Sequence, residues 1–225
     1  MQPMGPKKSA AATKAAPKAT RRYTNTRRTA QAAQTRADVL ASAIELFAEQ
    51  GWAPTTIAAI AEHAGVAVET IYSGFGSKKK LLQQAVDVTV VGDAEPIPYF
   101  DRPEVQALAT GERTDRFVRG IRTVTASNQR GARLWRACIE AAAGDEEMER
   151  WRLEKLAGRR LDTFRVLELI LDIELDPVTI EMLMVLYSPE TWLFLVEDSG
   201  WTIEQYETEL LSASLAIIRL RHPEL

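Results

Sequence analysis

Cysteine is nearly absent from this 225-residue chain. Cys138 stands alone, so no internal disulfide can form, and the composition suits a reducing compartment. There are only two histidines, His63 and His222, and neither lies near Cys138 in sequence. With no glycine-rich phosphate loop following a strand either, nucleophilic and metal-assisted catalysis lack their parts. The sequence reads as a non-enzyme without metal or cofactor, and Cys138 as a small buried filler. Long apolar runs are missing too: no uninterrupted stretch approaches the roughly 20 residues of a membrane helix. The first residues are basic but lack the apolar segment of a secretory signal. Between Met4 and Val39 the only large apolar residue is Tyr23, which leaves an organellar transit peptide without its apolar face. The expected location is the cytoplasm, with no membrane partner.

Acidic residues are also lacking, but only at one end. Before Asp38 there is none, against nine basic residues: Lys7, Lys8, Lys14, Lys18, Arg21, Arg22, Arg27, Arg28 and Arg36. From there on, 19 basic residues face all 31 acidic ones, so a formal charge of −3 conceals a positive arm on an acidic body. Such asymmetry points to a polyanion that one end alone touches. Residues 1–32 are mostly Ala, Lys, Pro, Thr and Arg with little to bury, and a disordered basic arm is expected there. It is either a solvated tail or an arm lying along DNA, with Arg27, Arg28 and Arg36 nearest the folded part.

From residue 35 a helical period sets in. Leu40, Ala43, Ile44 and Phe47 form one stripe that Leu46 widens, and Gly51 stops the helix. A short second helix follows Pro54, with Thr55 as its cap and Ile57, Ile60, Ala61 and Ala64 facing inward. Gly65 permits a tight turn. A third helix then carries Ile71 and Phe75, and Ser77 caps a fourth over 78–92. Three prolines between 95 and 103 make a loop. Further helices are predicted at 104–110, 114–128, 130–143, 145–172, 177–197 and 202–221. Pro177, Ser188-Pro189, Gly200 and the capping-box pattern Thr202-Ile-Glu-Gln205 set the later boundaries. No β-alternation stands out, so the chain reads as all-α.

Two short helices joined by a glycine turn, over 55–75, are what a helix-turn-helix requires. Lys78, Lys79 and Lys80 occupy a helix's first turn, where the dipole disfavours cations. That placement is either a solvated charge run or a place beside a phosphate. The run Arg36-Ala-Asp-Val-Leu-Ala-Ser-Ala-Ile-Glu-Leu-Phe-Ala-Glu-Gln-Gly-Trp52 continues with Thr55-Thr-Ile-Ala-Ala-Ile-Ala61 and Ala64-Gly-Val66. Thr70-Ile-Tyr72, Phe75, Ser77-Lys78 and Leu81-Leu82 complete an ordered pattern. It resembles the DNA-binding domain of the TetR family of bacterial repressors. Ser188-Pro-Glu and Gly200-Trp-Thr with Tyr206 resemble the last two helices of an actinobacterial-type, AcrR-like subgroup.

The resemblance implies an N-terminal three-helix reader over 33–80 and a helical ligand-binding and dimerisation bundle over 81–225. It implies that Thr55 caps the second helix and that Thr56 meets a phosphate. Thr70, Tyr72 and Lys78 would grip the DNA backbone. Val68 and Glu69 would face base edges, Val68 on a thymine methyl and Glu69 accepting from a cytosine amino group. For Glu69 the alternative is a first-turn acid that favours the helix dipole. Three residues depart from the family pattern: Ala67 at the usual cap, Gly74 before Phe75, and Lys80 where an acid is common. They touch the details of base reading.

For the second domain the resemblance implies a homodimer built by the last two helices, on a palindromic double-stranded operator. Ile180, Leu183, Met184 and Tyr187, and then Tyr206, Leu210, Ile217 and Leu220, recur at helical spacing. They either leave a stripe for a neighbouring subunit or fill the protomer's own core. Candidates for contact with a small-molecule effector, amphipathic or largely apolar, are Phe117, Ile121, Trp135, Ile139, Phe164, Leu167, Tyr187 and Trp192. In that reading the ligand favours a conformation whose readers are wrongly spaced, and the fourth helix transmits the change. The alternative is a DNA-binding dimer without a small-molecule ligand. Activation in place of repression depends on promoter position.

Overall fold

A computed structural model describes residues 19–92 and 97–223. Among these residues every regular element is a helix, as expected. The chain divides into two compact units, residues 1–37 and 38–225.

The first unit corrects one expectation. Helix α1 runs Ala19–Gln50, so residues 19–32 are helical and not a disordered arm. Between Lys18 and Gly51 there is neither proline nor glycine, and alanine, arginine and glutamine are good helix formers. Once a packed turn has met the cost of nucleation, propagation needs only one bond per residue. Arg28 and Arg36 are exposed on this helix. Residues 1–18 and the side chain of Arg27 lie outside the described residues.

In the second unit, α1 ends against Gly51, whose φ of +80° lets the chain turn away. α2 spans Ile57–His63, α3 Val68–Phe75 and α4 Lys78–Val91. Val39, Ala43, Phe47, Ile60, Ile71, Leu81 and Leu82 close the core between them. Each large member contributes roughly 1.5–3 kcal/mol by leaving water. The same cluster continues without a gap into Leu134, Trp135, Cys138, Ala142 and Met148 of the next layer. Burial pushes the Cys138 thiol up to about 12, which agrees with its reading as an inert filler.

After the proline loop come a turn at Tyr99–Asp101, α5 over Pro103–Gln106, and then α6, Arg113–Ala142. Two helices were predicted where α6 is one. Asn128 and Gly131 flank the expected break at 129, and both are used by packing. Asn128 donates to the Tyr187 carbonyl (3.1 Å) and the Tyr206 hydroxyl (3.3 Å). A Cβ at Gly131 would sit 3.4 Å from Thr89 of α4. α7 (Glu146–Leu171) crosses α6 so closely that a Cβ at Gly120 would lie 2.6 Å from Ile170 Cδ1.

α8 covers Pro177–Leu186 and α9 Pro189–Trp192, which continues as a wider π-helical turn through Leu193–Asp198. α10 spans Ile203–Arg221. The predicted boundaries hold here. Asp176 and Ser188 cap the helices opened by Pro177 and Pro189, and Thr202 and Gln205 make both bonds of a capping box.

The apolar stripes expected on the last helices mostly fill the protomer's own core, the second of the two alternatives left open. Ile180, Leu183, Tyr206 and Leu210 are buried within the protomer, and Met184, Tyr187 and Ile217 pack against that core. Of the eight, Leu220 alone is a large exposed side chain, 79 % accessible. α8 carries a second stripe at i, i+4, i+7, namely Val178, Met182 and Val185, and this one is exposed. By length and composition Pro177–Asp198 is apolar enough to span a bilayer. It is broken at Ser188-Pro189 and buries Ile180, Leu183 and Trp192 against other helices.

Candidate nucleic-acid interface

The second and third helices are short because their ends are chemically fixed. Thr56, in extended backbone, caps α2 and accepts from the Ala59 N–H at 3.0 Å. The cap therefore falls one residue later than expected, which corrects the role given to Thr55. Thr55 is 0 % accessible, and its hydroxyl donates to the carbonyls of Gly51 (2.8 Å) and Leu46 (3.1 Å). A hydroxyl placed there ties the end of α1 to the start of α2 and does not reach a phosphate. Exposed Thr56 keeps the place beside the N-terminus of α2.

Gly65, at φ +66°, turns the chain into α3. Ala67 stands at its N-cap and makes no side-chain bond there, so α3 starts without a side-chain cap. Ile71 and Phe75 bury one face of α3. The opposite face presents Glu69, Thr70, Tyr72 and Ser73, all exposed, with Tyr72 at 52 %. Val68 is half-buried and packs against the reader's core, so less of it is open to a base than expected. Four of the expected DNA-facing residues, Thr56, Glu69, Thr70 and Tyr72, are thus exposed on these two helices.

The lysine run is divided among three environments. The Lys78 ammonium donates to the Trp52 carbonyl (2.5 Å) and stands 4.0 Å over the Trp52 ring, where burial lowers its pKa. The Trp52 ring in turn stacks on Phe47, 5.8 Å away. Lys79 reaches Asp145 (2.9 Å) and Glu147 (2.5 Å), and the bond to Glu147 first, then that to Asp145, raises its pKa. Lys80 is exposed. The sequence signal was three equivalent cations. Nothing local announced the acids that Lys79 meets 66 and 68 residues later.

The eight effector candidates do not assemble into one group. Phe117, Phe164 and Leu167 belong to a cluster with Ile170 and Leu183, whereas Ile121 and Trp192 belong to another with Tyr206. Tyr187 touches both, its hydroxyl donating to Ser214 at 3.0 Å. Trp135 sits in the reader's cluster and its indole N–H donates to Glu190 at 3.0 Å. Ile139 is 38 % accessible on α6, outside any of these clusters, which corrects its place among lining residues. Periodicity selected buried residues but gave no information on which cluster each one joins.

Three polar groups of the second domain escaped the sequence reading. Arg159 of α7 lies 5.4 Å over the Trp135 ring, half-buried, and desolvation lowers its pKa. Asp162, one turn further along α7, is half-buried with its carboxyl shifted upward, first by desolvation. Tyr99, on the turn that α7 packs against, has its hydroxyl pushed up to about 12 by burial and then by Asp162. None of the three side chains has a hydrogen-bond partner among the described residues. Each keeps part of its surface open to solvent, so water can satisfy it.

Comparison with known proteins bears on the reader directly. Residues 39–85 match the family described as bacterial regulatory proteins, tetR family. The whole fold is similar to a solved TetR-family transcriptional regulator from Mesorhizobium loti MAFF303099. That likeness has a TM-score of 0.60 at 16 % identity and covers 84 % of this chain and 97 % of the other. A second, from Rhodococcus sp., has a TM-score of 0.60 at 16 % identity and covers 82 % and 99 %. No curated protein matches the chain.

Proposed function

We propose that this member of the TetR family is a homodimeric transcriptional repressor, released from a palindromic operator by a small-molecule ligand. One observation carries the DNA-reading part: α3 buries Ile71 and Phe75 while turning Glu69, Thr70 and Tyr72 outward, and Thr56 is exposed at the start of α2. Thr56, Thr70 and Tyr72 then hold phosphates, and Glu69, with the open part of Val68, reads base edges. Lys78 joins them with the N–H donors left over from its bond to Trp52. Arg27, Arg28 and Arg36 add charge along α1, which contributes affinity more than sequence selection.

The homodimer reading is supported by the exposed stripe Val178, Met182 and Val185 on α8, with Phe194 and Leu220 also exposed. An apolar face of this kind on a protomer marks an interaction surface. A two-fold protein is what a palindrome requires. The ligand reading is supported by Arg159, Asp162 and Tyr99. They favour an amphipathic effector over a largely apolar one, the two kinds expected from sequence. The packing of Phe117, Ile121, Leu167 and Trp192 into closed clusters favours a second reading, a DNA-binding dimer without a small-molecule ligand.

The test is selection of genomic fragments by the full-length protein beside a Thr70→Ala, Tyr72→Ala variant, at two salt concentrations. The reading expects one near-palindromic site, enriched by the native protein and lost in the variant. Salt-sensitive, sequence-blind binding that is equal in both would refute it. Screening small molecules against the protein bound to that site then separates the two readings of the second domain. Release of the site by some molecule supports an effector. Operator affinity that no molecule changes supports the ligand-free dimer.

A further inference from the structure

At the corner between α6 and α7, three carboxylates are joined to the reader. Glu140, near the end of α6, accepts the Trp52 N–H at 2.7 Å. It also fills the space beside Gly51, where a Cβ would lie 2.6 Å from its Oε2. Asp145 divides its two oxygens. One accepts from the backbone N–H groups of Glu147 (3.0 Å) and Met148 (3.1 Å), capping α7, and the other takes the Lys79 ammonium at 2.9 Å. Glu147 takes the same ammonium at 2.5 Å. On the reader's side these bonds end at the Gly51–Trp52 turn and at the first turn of α4. Lys78 ties those two places together through the Trp52 carbonyl. Trp52 and Lys79 thus hold the two ends of the segment that contains α2 and α3.

We propose that Glu140, Asp145 and Glu147 are positioning residues of the DNA reader: they fix the turn before α2 and the start of α4 to the α6–α7 corner, and so set where α3 meets the groove. None of them touches DNA. The proposal rests on the DNA-reading function above and adds the part of the second domain that orients the reader. A sequence-specific site needs each recognition helix in register with its bases, whereas non-specific binding needs only charge near phosphate. Loosening the corner therefore lowers operator affinity selectively. It also frees Lys79, one more cation beside the DNA-facing helices, so affinity for unrelated duplex holds or rises. An exposed ion pair contributes up to about fivefold in an equilibrium constant, which sets the scale for each reader.

The experiment uses the full-length protein and an Asp145→Asn, Glu147→Gln variant, because asparagine caps a helix as well as aspartate does and α7 keeps its start. Glu146→Gln is the control. It removes one of the two charges that the double variant removes, from the same corner, and among the described residues its carboxylate has no partner. Affinity is measured for the selected operator and for unrelated duplex, with a thermal melt alongside. The proposal expects operator affinity to fall about fivefold per reader, unrelated duplex to bind equally well or better, and the control to match the native protein. Equal gains on both DNAs, in the variant and the control alike, would overturn it and make the acids simple electrostatic screens. Unchanged binding in the double variant would overturn it too, as would losses on both DNAs that follow a fall in melting temperature. A native protein that selects no site removes the DNA-reading function itself, a separate failure seen before any variant is compared.

Discussion

Replacing Thr55 by valine removes one hydroxyl and almost no volume, so its consequences can be worked out from two hydrogen bonds. The hydroxyl donates to the Gly51 and Leu46 carbonyls from a fully buried position. Its net contribution is about 1 kcal/mol, and leaving a buried carbonyl under-satisfied raises the cost of losing it to about 1–3 kcal/mol. Valine keeps the branched shape, so no cavity adds to this. For a chain of this size each kcal/mol lowers the melting temperature by roughly 2–4 °C. Thr55→Val is therefore expected to melt about 2–12 °C lower than the native protein. Its operator affinity, measured well below that temperature, should stay within about twofold, since a residue with no exposed atom has no phosphate to lose. Differential scanning calorimetry and a fluorescence-anisotropy titration on the selected operator check the two halves. An unchanged melting temperature with a tenfold or greater loss of affinity would refute the reasoning and return Thr55 to the DNA surface.

Gly51→Ala places a side chain at φ +80°, with its Cβ in the space of the Glu140 carboxylate. A loss of at least about 1 kcal/mol is expected, seen as a lower denaturation midpoint, and a neutral result would mean that the turn is softer than its geometry. Val185→Glu and Leu220→Glu put charges on side chains that are 66 % and 79 % exposed in the protomer. Both proteins should fold but sediment as monomers, whereas intact dimers would place the interface elsewhere. The Asp176 carboxyl is held well below the ordinary range, first by Arg221 and then by the Thr179 hydroxyl. A depressed pKa stabilises the fold above the unfolded value near about 4, and that stabilisation is lost as pH falls through the folded one. Asp176→Asn should therefore melt lower at pH 7 and approach the native curve progressively as pH falls below about 4. A difference that stays constant down to pH 2 would assign the effect to packing instead of charge.

Read from sequence alone, the reader was nearly complete because its determinants are local. Gly51 and Gly65 mark the places where φ must be positive, Ser77 caps the fourth helix, and the apolar spacing names the buried face within each helix. The start of α2 was misplaced by one residue, since Thr55 and Thr56 carry the same hydroxyl. Only the position of Leu46 and Gly51 decides which of the two turns inward. The arm was misjudged because burial was the criterion applied, whereas an alanine- and arginine-rich segment joined to a packed helix continues it without burying anything.

The sequence by itself determined which segments are helical, where most of them stop, and which end of the chain is positive. Backbone φ, caps and periodicity act over a few residues, and charge is counted without a fold. The tertiary structure decided every pairing between distant groups. It joined Lys79 to Asp145 and Glu147, and Trp52 to Glu140. It divided seven of the expected effector residues among three clusters and put Ile139 outside them, and it left Val178, Met182 and Val185 exposed while burying Ile180 and Leu183 on the same helix. A helix that is apolar on all sides has no periodicity to say which face turns inward. That choice is made when neighbouring helices close on it, and the acids that meet a lysine are fixed by the same closure.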